Sequence, residues 1–260
     1  MIRILFLFIF INSCASFYWR ESKLPPHISF SNSKKNVLYS RIHFSEKDSW
    51  NPLDGTSLKK NYFTHFKLGK LLSNNKLELI DTFEYQSWIL PESIQFSDSD
   101  FFKLSFISGE NKNEFGTEPR EAIFYNFNTK KIINLSKEFK IEKPIDITIF
   151  STNLIAILST IDSKYYLTIA QINSLDSIPE VNEHILLKDY SWTTDGDSQL
   201  IGSNDGIYIK GYNSCILYKS KIQTKCDKTK DYKNSEKNPY YSNYNWNKEQ
   251  TDFSALEFYK

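Results

Sequence analysis

Apolar and polar side chains alternate in segment after segment of this chain, which is the period of a strand with one covered face. Asn61-Tyr62-Phe63-Thr64-His65-Phe66-Lys67-Leu68 alternates, Ser73-Asn74-Asn75 offers a turn, and Lys76-Leu77-Glu78-Leu79-Ile80 resumes. Ile123-Phe124-Tyr125-Asn126-Phe127 and Ile132-Ile133-Asn134-Leu135 flank the polar Asn128-Thr129-Lys130-Lys131, a hairpin signal. Ile145, Ile147 and Ile149 alternate with polar residues, and Leu154-Ile155-Ala156-Ile157-Leu158 is unbroken, as expected of a strand buried on both faces. Asp205-Gly206 marks a turn between Gln199-Leu200-Ile201-Gly202 and Ile207-Tyr208-Ile209. No amphipathic helix of three turns stands out. The pattern predicts an all-β domain over residues 25–226.

A loose repeat runs through these strands. Phe30, Phe96, Phe150 and Trp192 are each followed by a hydroxyl residue, a polar turn and an apolar strand. The aromatics are 66, 54 and 42 residues apart. Only the last matches a blade of about 40–50 residues. Polar stretches at 45–60 and 109–120 supply the extra length as insertions. The units resemble the degenerate WD40-like repeats of TolB-type periplasmic β-propellers, with Trp192-Thr193-Thr194-Asp195-Gly196 the fullest copy; it lacks the Ser and Pro of that pattern. The resemblance implies a β-propeller-like domain of about four to five blades. Turns spaced by chance in another β-sandwich or barrel give the same pattern, and that alternative stays open.

The first residues read as an export signal. Arg3 precedes the apolar run Ile4 to Ile11, which as a helix rises about 12 Å, against a hydrocarbon core of about 30 Å. Ile11-Asn12-Ser13-Cys14 resembles the lipobox of bacterial lipoproteins, closer to its relaxed spirochaetal form than to the strict one. The resemblance implies cleavage after residue 13, diacylglyceryl on Cys14, and anchoring in the cell envelope, in the outer membrane, on a periplasmic or surface face. Two or more acyl chains, at about 0.8 kcal/mol per buried methylene, hold a protein stably. The expected organisation is a signal over 1–13, an anchor-proximal segment over 14–24, the β domain, and a polar tail over 227–260. Phe253-Ser254-Ala255-Leu256-Glu257-Phe258-Tyr259 within that tail offers a closing strand, pairing near Phe17-Tyr18-Trp19.

Export places Cys215 and Cys226 where disulfides persist. If Ser220-Lys221 form a two-residue turn, the two cysteines stand opposite each other, about 4.5–5.5 Å apart at Cα, within bonding range. Two free thiols are the alternative.

Composition narrows the function. With 32 basic and 31 acidic side chains there is no basic excess to hold nucleic acid. The 20 Phe, 16 Tyr and 5 Trp exclude wholesale disorder and serve chiefly as core and inter-blade packing. The four histidines, at 27, 43, 65 and 184, form no ligand spacing, and no nucleophile elbow or phosphate loop occurs. Asp98-Ser99-Asp100 and Asp195-Gly196-Asp197 have the composition of tight turns before that of a calcium site. No metal, cofactor or catalytic residue is selected. The expectation is a lipid-anchored binding or scaffolding protein. Its partner is membrane lipid through the anchor, plus a protein or small ligand. A surface lipoprotein for host or environmental ligands and a propeller enzyme acting on glycan or peptide remain the rivals.

Overall fold

A computed structural model of the chain describes residues 19–23, 27–30, 35–51, 55–73, 76–90, 93–97, 102–109, 111–113, 116–150, 153–173, 177–188, 199–203, 205–211, 214–227 and 229–230. Cys14, Trp192, the aspartates at 98, 100, 195 and 197, and the segment 253–259 lie outside the described residues.

The described chain is all-β apart from one short helix. Sheet I places β1 (Trp19–Lys23) and β2 (His27–Phe30) along one edge of β3 (Asn36–Asn51), followed by β4 (Gly55–Leu71) and β5 (Leu77–Tyr85). Sheet II contains β6 (Gln95–Ser97), β7 (Lys103–Ile107), β10 (Ala122–Asn126) and β11 (Lys131–Asn134). A separate hairpin, β8 (Asn111–Asn113) with β9 (Gly116–Glu118), is inserted between β7 and β10. Sheet III runs β12 (Pro144–Phe150), β13 (Leu154–Ile161), β14 (Lys164–Gln171), β15 (Glu180–Leu186). Sheet IV runs β16 (Gln199–Ser203), β17 (Gly206–Lys210), β18 (Cys215–Lys219), β19 (Ile222–Lys225). Sheets II to IV are each four antiparallel strands joined in chain order. The polar stretches at 45–60 and 109–120 become the far end of the β3–β4 hairpin and the β8–β9 hairpin, because a ladder pairs backbone whatever the side chains.

The turns follow their chemistry. Asp162-Ser163 and Ser220-Lys221 hold φ of 49° and 62°, and of 50° and 69°, the left-handed pair that matches the twist of a two-residue hairpin. Asn126 Oδ1 accepts from Asn128 N and Thr129 N and closes the β10–β11 turn. The helix α1 (Leu135–Phe139) is capped by the Asn134 side chain, which accepts from Lys137 N, and ends on left-handed Lys140.

The sheets pack in chain order. Between I and II lies an aromatic layer in which Phe83 stacks on Tyr125 at 3.8 Å between ring centroids and Phe66 meets Phe106 at 5.2 Å. Between II and III, Ile107, Phe124 and Ile133 meet Ile147, Ile155 and Ile157. Between III and IV, Leu158, Leu167 and Ile169 meet Leu200, Ile207 and Ile209. Sheet III is therefore covered on both faces, which is why Leu154–Leu158 reads as unbroken.

An edge strand of each sheet lies beside an edge strand of the next: β2 against β6, β6 against β12, and β12 against β16. Polar side chains join the last pair. Asp146 Oδ2 accepts from Leu200 N at 2.7 Å and Thr148 Oγ1 from Gly202 N at 3.4 Å, so β12 and β16 run alongside in parallel at a constant offset of 54 residues. Gly202 permits the approach. A Cβ there would stand 2.2 Å from Phe150 Cβ.

Candidate functional site

The repeat aromatics within the described residues fall in edge strands of their sheets. Phe30 ends β2, Phe96 is central in β6, and Phe150 ends β12. Phe96 is buried and lies parallel to Phe102, with centroids 6.3 Å apart. Phe150 packs at the seam of sheets III and IV. Phe96 and Phe150 serve packing, and Phe150 also borders one of two concavities beside the β18–β19 hairpin.

That hairpin is held by covalent and polar contacts. Cys215 and Cys226 are joined by a disulfide with Cα atoms 5.0 Å apart, and Cys226 N donates to Cys215 O at 2.9 Å. Gln223 ties the hairpin to the end of β15: its Nε2 donates to Leu186 O at 3.0 Å and its Oε1 accepts from Lys188 N at 3.2 Å. Asp227, just beyond, accepts from Thr229 N and from Thr229 Oγ1, which holds its carboxyl below the ordinary range.

Two concavities flank the hairpin and share Lys221. The larger, about 730 Å³, runs along β18 and β19 past the disulfide. Three of its lining side chains, Lys188, Lys221 and Lys225, are basic, and none is acidic. The exposed Ile222 gives it an apolar wall.

The smaller, about 370 Å³, opens at the seam of sheets III and IV. Phe150, Leu154, Ile169 and Ile207 make its apolar part, and Glu183, Asp205 and Lys219 its charged part. Each carboxylate has a phenol as partner. Tyr218 Oη donates to Glu183 Oε2, and Tyr208 Oη donates to Asp205 Oδ2 at 3.4 Å. Burial first, then the hydrogen bond and charge of Glu183, push the Tyr218 phenol well above its ordinary value. Tyr218 thus remains a neutral donor at physiological pH. Carboxylates engaged by neutral donors, with two lysines near, offer donors and acceptors to which a polar ligand can hydrogen-bond.

Of the histidines, His65 Nδ1 pairs with Glu84 Oε2 at 3.1 Å and its ring meets His43 edge-on at 4.5 Å, while Thr168 Oγ1 and His184 Nδ1 lie 2.9 Å apart. Among the described residues, no three metal-ligating side chains converge. No described helix is long and apolar enough to cross a membrane.

The cysteine pair was legible in the spacing. Gln223, Lys188, Glu183 and Tyr218 were not, since the contact between β15 and the last hairpin spans 35 residues or more and leaves no local signal. No family model, no curated protein and no solved structure matches the chain.

Proposed function

We propose that this protein is a lipid-anchored envelope protein whose serial sheets form a propeller-like, non-catalytic binding domain. The observation that supports this most is the side-by-side order of the edge strands β2, β6, β12 and β16, with Asp146 and Thr148 joining the last two at a constant offset. Edge strands of successive sheets set side by side are how a propeller surrounds its axis. Such a scaffold presents turns and outer edges to partners, and the two concavities beside the β18–β19 hairpin lie on such surfaces. Anchoring rests on the sequence: Arg3, the apolar run to Ile11, and Cys14 in a lipobox-like setting.

Cell fractionation tests the reading. Wild-type protein is expected in the membrane fraction and Cys14→Ser in a soluble or unprocessed form. Protease treatment of intact cells then assigns the exposed face. Recovery of the wild type in the soluble fraction would refute the anchor.

A further inference from the structure

The outer edge of β19 is open among the described residues. It ends the order of sheet IV, and no described strand lies beyond it. Its free groups follow from the ladder. The bond from Cys226 N to Cys215 O makes 215/226 a hydrogen-bonded pair. Bonded and non-bonded pairs alternate in an antiparallel ladder, so 217/224 and 219/222 are bonded and 216/225 and 218/223 are not. The backbone N–H and C=O of Gln223 and Lys225 therefore point away from β18, two residues apart, as an incoming strand requires.

Charge selects that strand. Lys188, Lys221 and Lys225 line the 730 Å³ groove along this edge, and none is ion-paired among the described residues. Gln223 holds the Lys188 backbone against the hairpin, so the loop after β15 adds its ammonium to the edge. Gln223 and Lys225 share one face of β19, and Ile222, 62% exposed, lies on the other with Thr224. Lysines on an open edge keep two copies of the chain from pairing there, because like charges would oppose each other. The same lysines attract carboxylates.

We propose that the β19 edge accepts an acidic, extended peptide segment of a partner protein, which adds as a fifth strand to sheet IV. Carboxylates at alternate positions meet Lys225 and Lys188, and apolar residues between them cover Ile222. Backbone pairing gives the affinity and the alternating side chains give the selectivity. This deepens the binding reading above and rests on it.

The test titrates a fluorescein-labelled Glu-Val repeat hexapeptide into the full-length protein in detergent micelles and reads anisotropy. Saturable binding is expected. The combined Lys188→Glu, Lys221→Glu and Lys225→Glu variant weakens it by about tenfold or more and takes up a Lys-Val repeat instead. N-methylation of alternate amides of the acidic peptide weakens binding to the unchanged protein by about tenfold or more, which separates strand addition from plain charge attraction. Absence of binding at about 1 mM peptide would overturn the proposal. So would equal affinity for the methylated peptide, or self-association of the free protein in sedimentation that the triple variant abolishes. None of these outcomes depends on the anchor, so failure here and failure of membrane recovery are distinguishable.

Discussion

Asp146 Oδ2 accepts a hydrogen bond from Leu200 N at 2.7 Å, joining the opening strands of two sheets across 54 positions of chain. Its other oxygen accepts from Ile147 N at 2.8 Å, so one buried carboxylate serves donors on both strands. Removing it leaves a buried N–H of Leu200 without its acceptor, at a cost of about 1–3 kcal/mol. Asp146→Ala is expected to lower stability by at least that amount in urea unfolding, and Asp146→Asn, which keeps one oxygen, by less. The exposed Lys130–Asp81 pair gives the contrast: Lys130→Ala is expected to cost under about 1 kcal/mol.

Gly109 sits under the ring of Trp88. A Cβ at position 109 would lie 1.8 Å from Trp88 Cε2, and Gly109 N donates to Trp88 O at 2.9 Å. Gly109→Ala must displace the indole, at about 1–3 kcal/mol. A lower melting temperature together with a changed tryptophan emission spectrum is expected. An unchanged spectrum would contradict the packing.

How much of this was legible in the sequence depends on the range of the contact. The Ser220-Lys221 turn and the cysteine pairing across it followed from local spacing, because a two-residue hairpin fixes its own register. The double-sided burial of β13 followed from its unbroken apolar run. Asp146 and Thr148 misled: their alternation with isoleucines reads as a solvent face, yet both are buried because a second sheet lies there. Lys103 is likewise fully buried in β7, which no periodicity announces. The binding surface was invisible for the same reason. Lys188 and Gln223 meet only once sheets III and IV are packed.

The disulfide closes a loop with a sequence separation of 11. In the chain-entropy description a loop of that size contributes about 3 kcal/mol. The Cys215→Ala/Cys226→Ala variant is expected to unfold at lower denaturant by about that amount. Added dithiothreitol should destabilise the wild type and leave the variant unaffected.

Tyr218 sets a pH dependence with a definite sign. Its phenol titrates higher in the folded chain than the ordinary value of 10.0, through burial and Glu183. The folded state therefore holds that proton more tightly, and the resulting stability is complete below about pH 10 and lost as pH rises through the folded value. Stability is expected to fall as pH rises above 10, with a shallower slope for Tyr218→Phe. Tyr125, shifted the same way by burial, keeps part of the slope in that variant. Equal slopes in the two proteins would exclude the Tyr218 contribution.

Intact mass spectrometry of protein extracted from bacterial membranes reads out whether Cys14 carries the envelope anchor proposed above. A chain that begins at Cys14 and carries the mass of a diacylglyceryl group, with or without a further acyl chain, is expected. A chain that retains residues 1–13, or one cleaved elsewhere with an unmodified Cys14 thiol, would contradict it.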